Sequence, residues 1–172
     1  MNERETTDEE FGIEELEDAE TFDRLFGIVA DGVVGAAGGL VGTAMLTVVL
    51  LIAESIGAFS MEAFGSIART AGLDAFGPAI VMGYLLFLAG GTVPWPLLFA
   101  SLKEYLPGGS DPVKGIVFGT VLWTGFALAF NPGFVGLTLV AYLVLTLVAH
   151  WAYGVGLGVV FEYLATRSDS LV

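Results

Sequence analysis

Four long apolar runs constrain this chain more than any other feature of its sequence. A transmembrane helix needs about 20 mostly apolar residues, and such runs lie at 32–53, 78–102, 115–130 and from 134 or 136 to 161. The composition agrees with this pattern, since 55% of the 172 residues are hydrophobic, 15% are charged and the mean hydropathy is +0.80. The sequence therefore predicts an all-α, polytopic membrane protein with four transmembrane helices.

The acidic residues are concentrated in front of these runs. Eleven of the 19 acidic residues lie between Glu3 and Asp23, so we expect an acidic, partly disordered cytoplasmic tail at 1–26, a four-helix transmembrane domain at 27–166 and a C-terminal tail at 167–172. No signal peptide is expected, because the N-terminal residues are acidic. The net charge of −13 predicts a halophilic archaeon as the source, because high salt screens self-repulsion. It also argues against nucleic acid as a partner.

The distribution of basic residues predicts the orientation in the cell membrane. Cytoplasmic segments retain Lys and Arg. Four spans place five of the six basic residues on one side and only Arg69 on the other. The five are Arg4, Arg24, Lys103, Lys114 and Arg167. We therefore predict a multi-pass protein with both termini in the cytoplasm.

Two of the connecting segments carry structural signals. In the segment 60–73, Met61, Phe64, Ile67 and Ala68 recur at helical spacing, which predicts an amphipathic helix at the outer membrane interface between the first two spans. An ordinary loop is the alternative. The sequence NPGF at 131–134 has Pro and Gly at the central positions of a type II turn. It predicts a tight hairpin between the last two spans.

The four spans look like two repeated helical hairpins. The first and third spans share the pattern G-x-x-x-G-T-x-x-x-T. The matched positions are Gly38, Gly42, Thr43 and Thr47 in the first span and Gly115, Gly119, Thr120 and Thr124 in the third. The second and fourth spans match at one constant offset, with Tyr84, Glu104, Tyr105 and Leu106 against Tyr142, Glu162, Tyr163 and Leu164. Duplication predicts a pseudo-two-fold axis along the membrane normal, with the glycines as packing seams within one chain or between subunits.

The only histidine of the chain lies in the fourth span. Thr146, His150, Gly154 and Gly158 recur at i+4, with Tyr153 on the adjoining edge. Because an unpaired imidazole in hydrocarbon is costly, we expect His150 to bond a repeat threonine or a carbonyl freed near Pro94 and to join two helices. Ionisable residues inside a membrane are also candidates for function. The alternatives are haem ligation, which would need a second histidine from a dimer, and a quinone site with Trp151.

The second span is interrupted by proline. Pro94 and Pro96 cannot donate backbone hydrogen bonds, so the carbonyls of Gly90 and Thr92 should be free. Such a break can coordinate an ion or a substrate. The favoured interpretation is a kink at Pro94, Trp95 and Pro96, with Trp95 filling the gap.

Motifs of soluble enzymes are not found in the sequence. It contains no cysteine and no P-loop, G-x-S-x-G or H-E-x-x-H motif. The run GVGLGVVFE at 154–162 lies within a span and does not follow a strand, so its glycines are assigned to packing. We therefore expect no enzymatic activity, no catalytic residue, no metal and no cofactor.

Several features together resemble a family of small four-span membrane proteins of haloarchaea and bacteria, classed as a domain of unknown function. They are the Gly- and Thr-rich first span, the G-Y opening of the second span at Gly83, the turn FNPGF, and H-x-x-Y-G-x-x-x-G starting at His150. The resemblance covers about residues 35–164 and implies the fold and a membrane location. Members of that family often carry a second histidine in the second span, where this chain has Phe87 or Thr92.

Three functions remain open at this point. The first is a non-enzymatic structural or accessory component of a membrane complex, in contact with the lipid bilayer and self-associating or bound to larger partners. The second is an oligomeric transporter or channel for ions or small solutes. Its pathway would be lined by Thr43, Thr47, Thr92, Thr120, Thr124 and His150. The third is an accessory subunit of a respiratory terminal oxidase that contacts haem or quinone through His150.

Overall fold

Four helical spans that are long and apolar enough to cross a membrane overlap the four predicted runs. The second span, Ala79–Tyr105, is divided between two helices. The computed structural model describes residues 32–168. The acidic segment at 1–26 and the end of the predicted C-terminal tail lie outside the described residues. In chain order the helices are α1 (Gly32–Ser55), α2 (Glu62–Thr70), α3 (Ala79–Thr92), α4 (Pro94–Leu102), α5 (Asp111–Ala129) and α6 (Gly136–Ser168). Short 3-10 turns follow α2 at Leu73–Ala75 and α4 at Lys103–Tyr105.

Helix α1 ends in a glycine cap. Gly57 has a φ of +74°, and its N–H donates to the Glu54 carbonyl while the Ala58 N–H donates to the Ala53 carbonyl. This pair of bonds is a Schellman motif, which satisfies two of the carbonyls left free at a helix end. The Glu54 carboxylate then accepts a bond of 3.0 Å from the Met61 N–H, so a charged residue at the end of the span fixes the chain ahead of α2.

The predicted amphipathic helix is present as α2, and its apolar side packs on the protein. Phe64 and Ala68 are fully buried, and α2 lies against α3. A Cβ at Gly83 would overlap the Phe64 carbonyl, so the glycine of the G-Y pair permits this close contact. The apolar face of α2 is therefore occupied by α3, and the placement at the membrane interface stays a prediction.

The turn between α5 and α6 is tight, as predicted. The Asn131 side-chain oxygen accepts the N–H groups of Gly133 and Phe134 at 3.0 and 2.9 Å, and Gly133 has a φ of +100°. An Asn that bonds the backbone two residues ahead is a common turn device. Because the connection is so short, α5 and α6 are antiparallel neighbours.

Helix α6 is the central packing partner of the fold. A Cβ at Gly42 of α1 would lie 2.6 Å from the Tyr153 carbonyl oxygen, and one at Gly115 of α5 would overlap the Gly154 carbonyl. A Cβ at Gly119 would likewise lie against the His150 carbonyl oxygen. Both G-x-x-x-G seams therefore close within one chain, against α6, as small residues in membrane helices allow.

The second and third spans are held apart by aromatic side chains. Helices α3 and α4 have no close backbone packing with α5, in contrast to α5 with α6. Instead Phe87 meets Phe126 at a ring-centroid distance of 5.9 Å, and Phe99 meets Phe118 at 5.4 Å. These two contacts leave a space between them at the level of Gly91 and the helix break.

Candidate functional site

A cavity of about 360 Å³ lies between α3/α4 and α5, with α1 and α6 behind it. Its wall is largely apolar and aromatic, as is common for small-molecule sites. Trp95 is 42% exposed and Val121 is 61% exposed, so the cavity reaches the lipid-facing surface of the helices. The lining residues are Thr43, Leu46, Phe87, Gly91, Trp95, Val121, Leu122, Thr124, Gly125, Phe126, Ala129, Phe130, His150 and Tyr153.

His150 presents one ring nitrogen to this cavity. Its Nδ1 lies 2.8 Å from the Thr146 carbonyl oxygen, one turn earlier in α6. A carbonyl only accepts, so Nδ1 carries the proton and Nε2 carries a lone pair. Nε2 bonds no other residue within 32–168, and the ring is held edge-to-face by Phe126 at 4.7 Å. The site therefore contains a fixed, neutral hydrogen-bond acceptor on an apolar wall.

Thr43 contributes a second polar group to the same cavity. The residue is 1% exposed, and its hydroxyl oxygen has no hydrogen-bond partner within the described part of the chain. A Cβ at Gly91 would overlap this hydroxyl, so the glycine leaves the space in which it sits. Burying a hydroxyl without a partner is unfavourable by about 1–3 kcal/mol, which makes Thr43 a group that a ligand would satisfy.

The predicted break in the second span is present between α3 and α4. Val93 has φ −116° and ψ −74°, and α4 begins at Pro94. The predicted free carbonyls were those of Gly90 and Thr92, whereas the carbonyl engaged from another helix is that of Gly91, which accepts the Tyr153 hydroxyl at 2.9 Å. Tyr153 thus ties α6 to the break. Trp95 packs beside Gly90 but stays half exposed, so it does not fill the gap alone.

The prediction that His150 bonds a repeat threonine or a carbonyl near Pro94 was wrong. Its side chain bonds a carbonyl of its own helix, while tryptophans bond the threonines that flank the seam. Trp151 donates to the Thr120 hydroxyl at 2.9 Å and Trp123 donates to the Thr146 hydroxyl at 3.0 Å. The indole N–H is a donor only, so it satisfies a hydroxyl that already donates to a helix carbonyl. His150 is consequently left facing the cavity.

The structure divides the predicted residues into two groups. Thr43, Thr124, His150, Tyr153 and Trp95 come together at the cavity. The others pack helices or bond within them: Gly38, Gly42, Gly115, Gly119, Gly154 and Gly158 make close backbone approaches, Thr47 bonds Tyr84, and Pro96 packs against Gly39.

Several lining residues were not predicted from the sequence. Phe87 and Gly91 precede the predicted Trp95 at i+4 spacing along the second span, and Leu122 and Phe126 have the same spacing along the third. That spacing is a usable signal for one helix face. It does not reveal which faces meet, because every face of these helices is apolar. Among residues 32–168, no three His, Asp or Glu side chains come together to hold a metal ion.

The helices and the intramembrane cavity define the class: a polytopic α-helical membrane protein with a lipid-facing cavity. Within that class, the chain belongs to the family of unknown function DUF6789, whose model matches residues 29–172. This match confirms the resemblance noted from the motifs. No curated protein matches the chain, and no solved structure matches it.

Proposed function

We propose that this protein is a non-enzymatic, accessory component of the membrane that binds a lipid-soluble molecule in the cavity between α3/α4 and α5. The observation that carries the proposal is an apolar cavity of about 360 Å³ that reaches the lipid-facing surface and is lined by His150 and Thr43. Within residues 32–168, His150 Nε2 and the Thr43 hydroxyl have no hydrogen-bond partner. Sites for small molecules combine an apolar wall with a few placed polar groups.

The chemistry of the lining favours binding over catalysis. Among the described residues that line the cavity, His150 is the one with an imidazole, carboxyl or amine side chain, and the Tyr153 hydroxyl is engaged by the Gly91 carbonyl. A general acid and a general base that act together would need a second positioned proton carrier near the first. The lining therefore fits a binding site better than an active site.

A transport pathway has less support from the same contacts. Of the six residues predicted to line it, Thr43, Thr124 and His150 lie at the cavity. The Thr47 hydroxyl is bonded to Tyr84, and the Thr120 hydroxyl accepts the Trp151 indole. A pathway through all six would require these bonds to break, so transport is the weaker proposal.

We also infer that the two hairpins are related by duplication. Gly39 packs closely on Thr92 and Pro96 within the first hairpin, while Gly119 packs on the His150 backbone in the second. The constant offset of the second and fourth spans aligns Thr92 with His150. A glycine of the first helix in each hairpin thus meets the same level of the second helix, although the repeat counterpart of Gly119 is Gly42, which packs on Tyr153 of α6. The cytoplasmic placement of both termini stays a prediction.

Photolabelling tests whether the cavity binds lipophiles. The full chain in lipid nanodiscs is irradiated with an apolar phenyl diazirine, and the adducts are mapped by mass spectrometry. We expect saturable labelling of Phe87, Trp95 and Val121, and labelling of lipid-facing Leu128 that rises linearly with probe concentration. Labelling that is linear everywhere would overturn the proposal.

A matched pair of variants localises the binding. Gly125 lines the cavity and has open space at its Cβ, so Gly125→Phe should fill the cavity and abolish the saturable component. Val140→Phe adds a ring at a lipid-facing position of α6 that is 55% exposed and should leave the saturable component unchanged. Equal labelling of the two variants would place the binding elsewhere.

A further inference from the structure

We propose that the molecule bound in this cavity is a lipid-soluble phenol or hydroquinone, whose hydroxyl donates to Nε2 of His150. The ring would lie among the aromatic side chains, and the apolar tail would leave past Trp95 and Val121 into the bilayer. This inference rests on the proposed function and adds the chemical class of the ligand.

The imidazole sets the first requirement on the ligand. Nδ1 is committed to the Thr146 carbonyl, so Nε2 is an acceptor and selects a group that donates a hydrogen bond. A simple ketone, an ether or an alkane offers no such donor. The ring cannot turn over without losing its bond to the Thr146 carbonyl, and the Phe126 ring lies against it in an edge-to-face arrangement at 4.7 Å. The acceptor is therefore held in place before the ligand arrives.

The Thr43 hydroxyl sets the second requirement. It lies on α1, across the back of the cavity from the α5 wall, and has no partner within residues 32–168. The hydroxyl is buried against Gly91, so it would reach the head group by turning about its Cα–Cβ bond. A hydroxyl both donates and accepts and could then bond an oxygen of the same head group. A ligand whose polar end is an oxygen that donates and accepts can satisfy His150 and Thr43 together.

The remaining wall indicates an aromatic ring. Phe87, Trp95, Phe126 and Phe130 line the cavity, and aromatic rings pack favourably in edge-to-face and offset arrangements. The volume of about 360 Å³ lies near the small end of the range for small-molecule sites, which is roughly 300–1,000 Å³. This size favours a single-ring head over a macrocycle such as haem.

The lone histidine makes the test specific. The full chain, freed of any histidine tag and labelled with ¹⁵N-histidine, gives the ring signals of His150 alone. We titrate it in nanodiscs with 4-hexylphenol and with its methyl ether, 4-hexylanisole, each at a known mole fraction of lipid. We expect the Nδ1–H tautomer, a saturable shift of the Nε2 signal with the phenol, and no such shift with the ether.

Competition against the diazirine probe measures both affinities. One hydrogen bond contributes about a tenfold difference in affinity, so we expect the phenol to displace the probe about tenfold more effectively than the ether. Thr43→Val should lower the affinity for the phenol several-fold and leave the affinity for the ether unchanged. His150→Leu should make the affinities for the phenol and the ether equal. If His150→Leu does not fold, the Nε2 shift and Thr43→Val still decide the question.

The outcomes separate the two proposals. If both compounds displace the probe equally and the Nε2 signal does not move, the phenol assignment is overturned and the binding cavity stands. If neither compound displaces the probe and the probe itself labels without saturation, both proposals are overturned. A Soret band in protein purified from native membranes, lost in His150→Leu, would overturn the phenol in favour of haem.

Discussion

Two threonines at matching positions of the predicted repeat have opposite environments. Thr120 of α5 accepts the Trp151 indole at 2.9 Å and donates to the Ile116 carbonyl at 2.9 Å. Thr43 of α1 is 1% exposed and its hydroxyl has no partner in the described part of the chain. The same motif therefore serves as a satisfied packing contact in one hairpin and lines a cavity in the other.

The difference comes from the neighbouring helix. In the second hairpin, α6 carries Trp151 one residue beyond His150, and its indole reaches the threonine of α5. In the first hairpin, the helix facing Thr43 carries Gly91, which supplies no side chain. Under the proposed duplication, the α5–α6 hairpin is the packed scaffold and the first hairpin carries Thr43 at the cavity. Stability should then depend most on the α5–α6 hairpin.

The largest expected effect separates a packed glycine from an open one. A Cβ at Gly115 would overlap the Gly154 carbonyl, whereas a Cβ at Gly125 meets nothing within 4 Å. Gly115→Ala should lower the free energy of unfolding by about 3 kcal/mol because two backbones must separate, while Gly125→Ala should leave it unchanged or raise it. Unfolding by SDS titration, followed by circular dichroism, measures both. Equal effects would mean that α5 and α6 do not pack through this seam.

An intermediate effect is expected where α6 is tied to the helix break. Tyr153→Phe removes the bond from its hydroxyl to the Gly91 carbonyl and leaves that carbonyl without its partner. We expect a loss of about 1.5 kcal/mol, measured by the same SDS titration. Tyr105→Phe is the matched control, since Tyr105 is 84% exposed and its hydroxyl bonds no residue in the described part of the chain. An equally large loss of unfolding free energy in the control would show that the bond to the Gly91 carbonyl does not contribute to stability.

The smallest expected changes in unfolding free energy have opposite signs at the two matching threonines. Thr120→Val leaves the Trp151 indole without its acceptor and should lower the free energy of unfolding by about 1 kcal/mol. Thr43→Val removes a buried hydroxyl that has no partner among the described residues and should raise the free energy of unfolding by about 1 kcal/mol in the absence of ligand. Thermal unfolding of both variants in one detergent checks the signs. A loss in Thr43→Val would mean that its hydroxyl is already bonded in the membrane.

Much of the fold was predictable because the bilayer sets the length of a span. The first run was expected at 32–53 and α1 covers Gly32–Ser55. The third span was expected from Gly115, but α5 begins at Asp111. A salt bridge explains the difference: Lys103 pairs with Asp111 at 2.9 Å, so the first turn of α5 carries charged residues that a hydropathy pattern excludes.

The candidate site was only partly predictable. His150, Thr43 and Tyr153 were identified because polar groups stand out in an apolar helix. Their partners were not, since a sequence does not show which of several donors reaches a given acceptor. The indole N–H groups of Trp123 and Trp151 donate to the hydroxyls of Thr146 and Thr120. His150 bonds a backbone carbonyl of its own helix.

The sequence by itself determined four apolar spans, a helix between the first two, a tight turn before the last and the break at Pro94, because each depends on local hydropathy or local backbone chemistry. Only the tertiary structure decided that both glycine seams close on α6 and that α3/α4 stand away from α5. The physical reason is that lipid is as apolar as these side chains, so burial does not distinguish one helix face from another. Close packing and hydrogen bonds select the pairs, and they leave the cavity at His150 where the packing is incomplete.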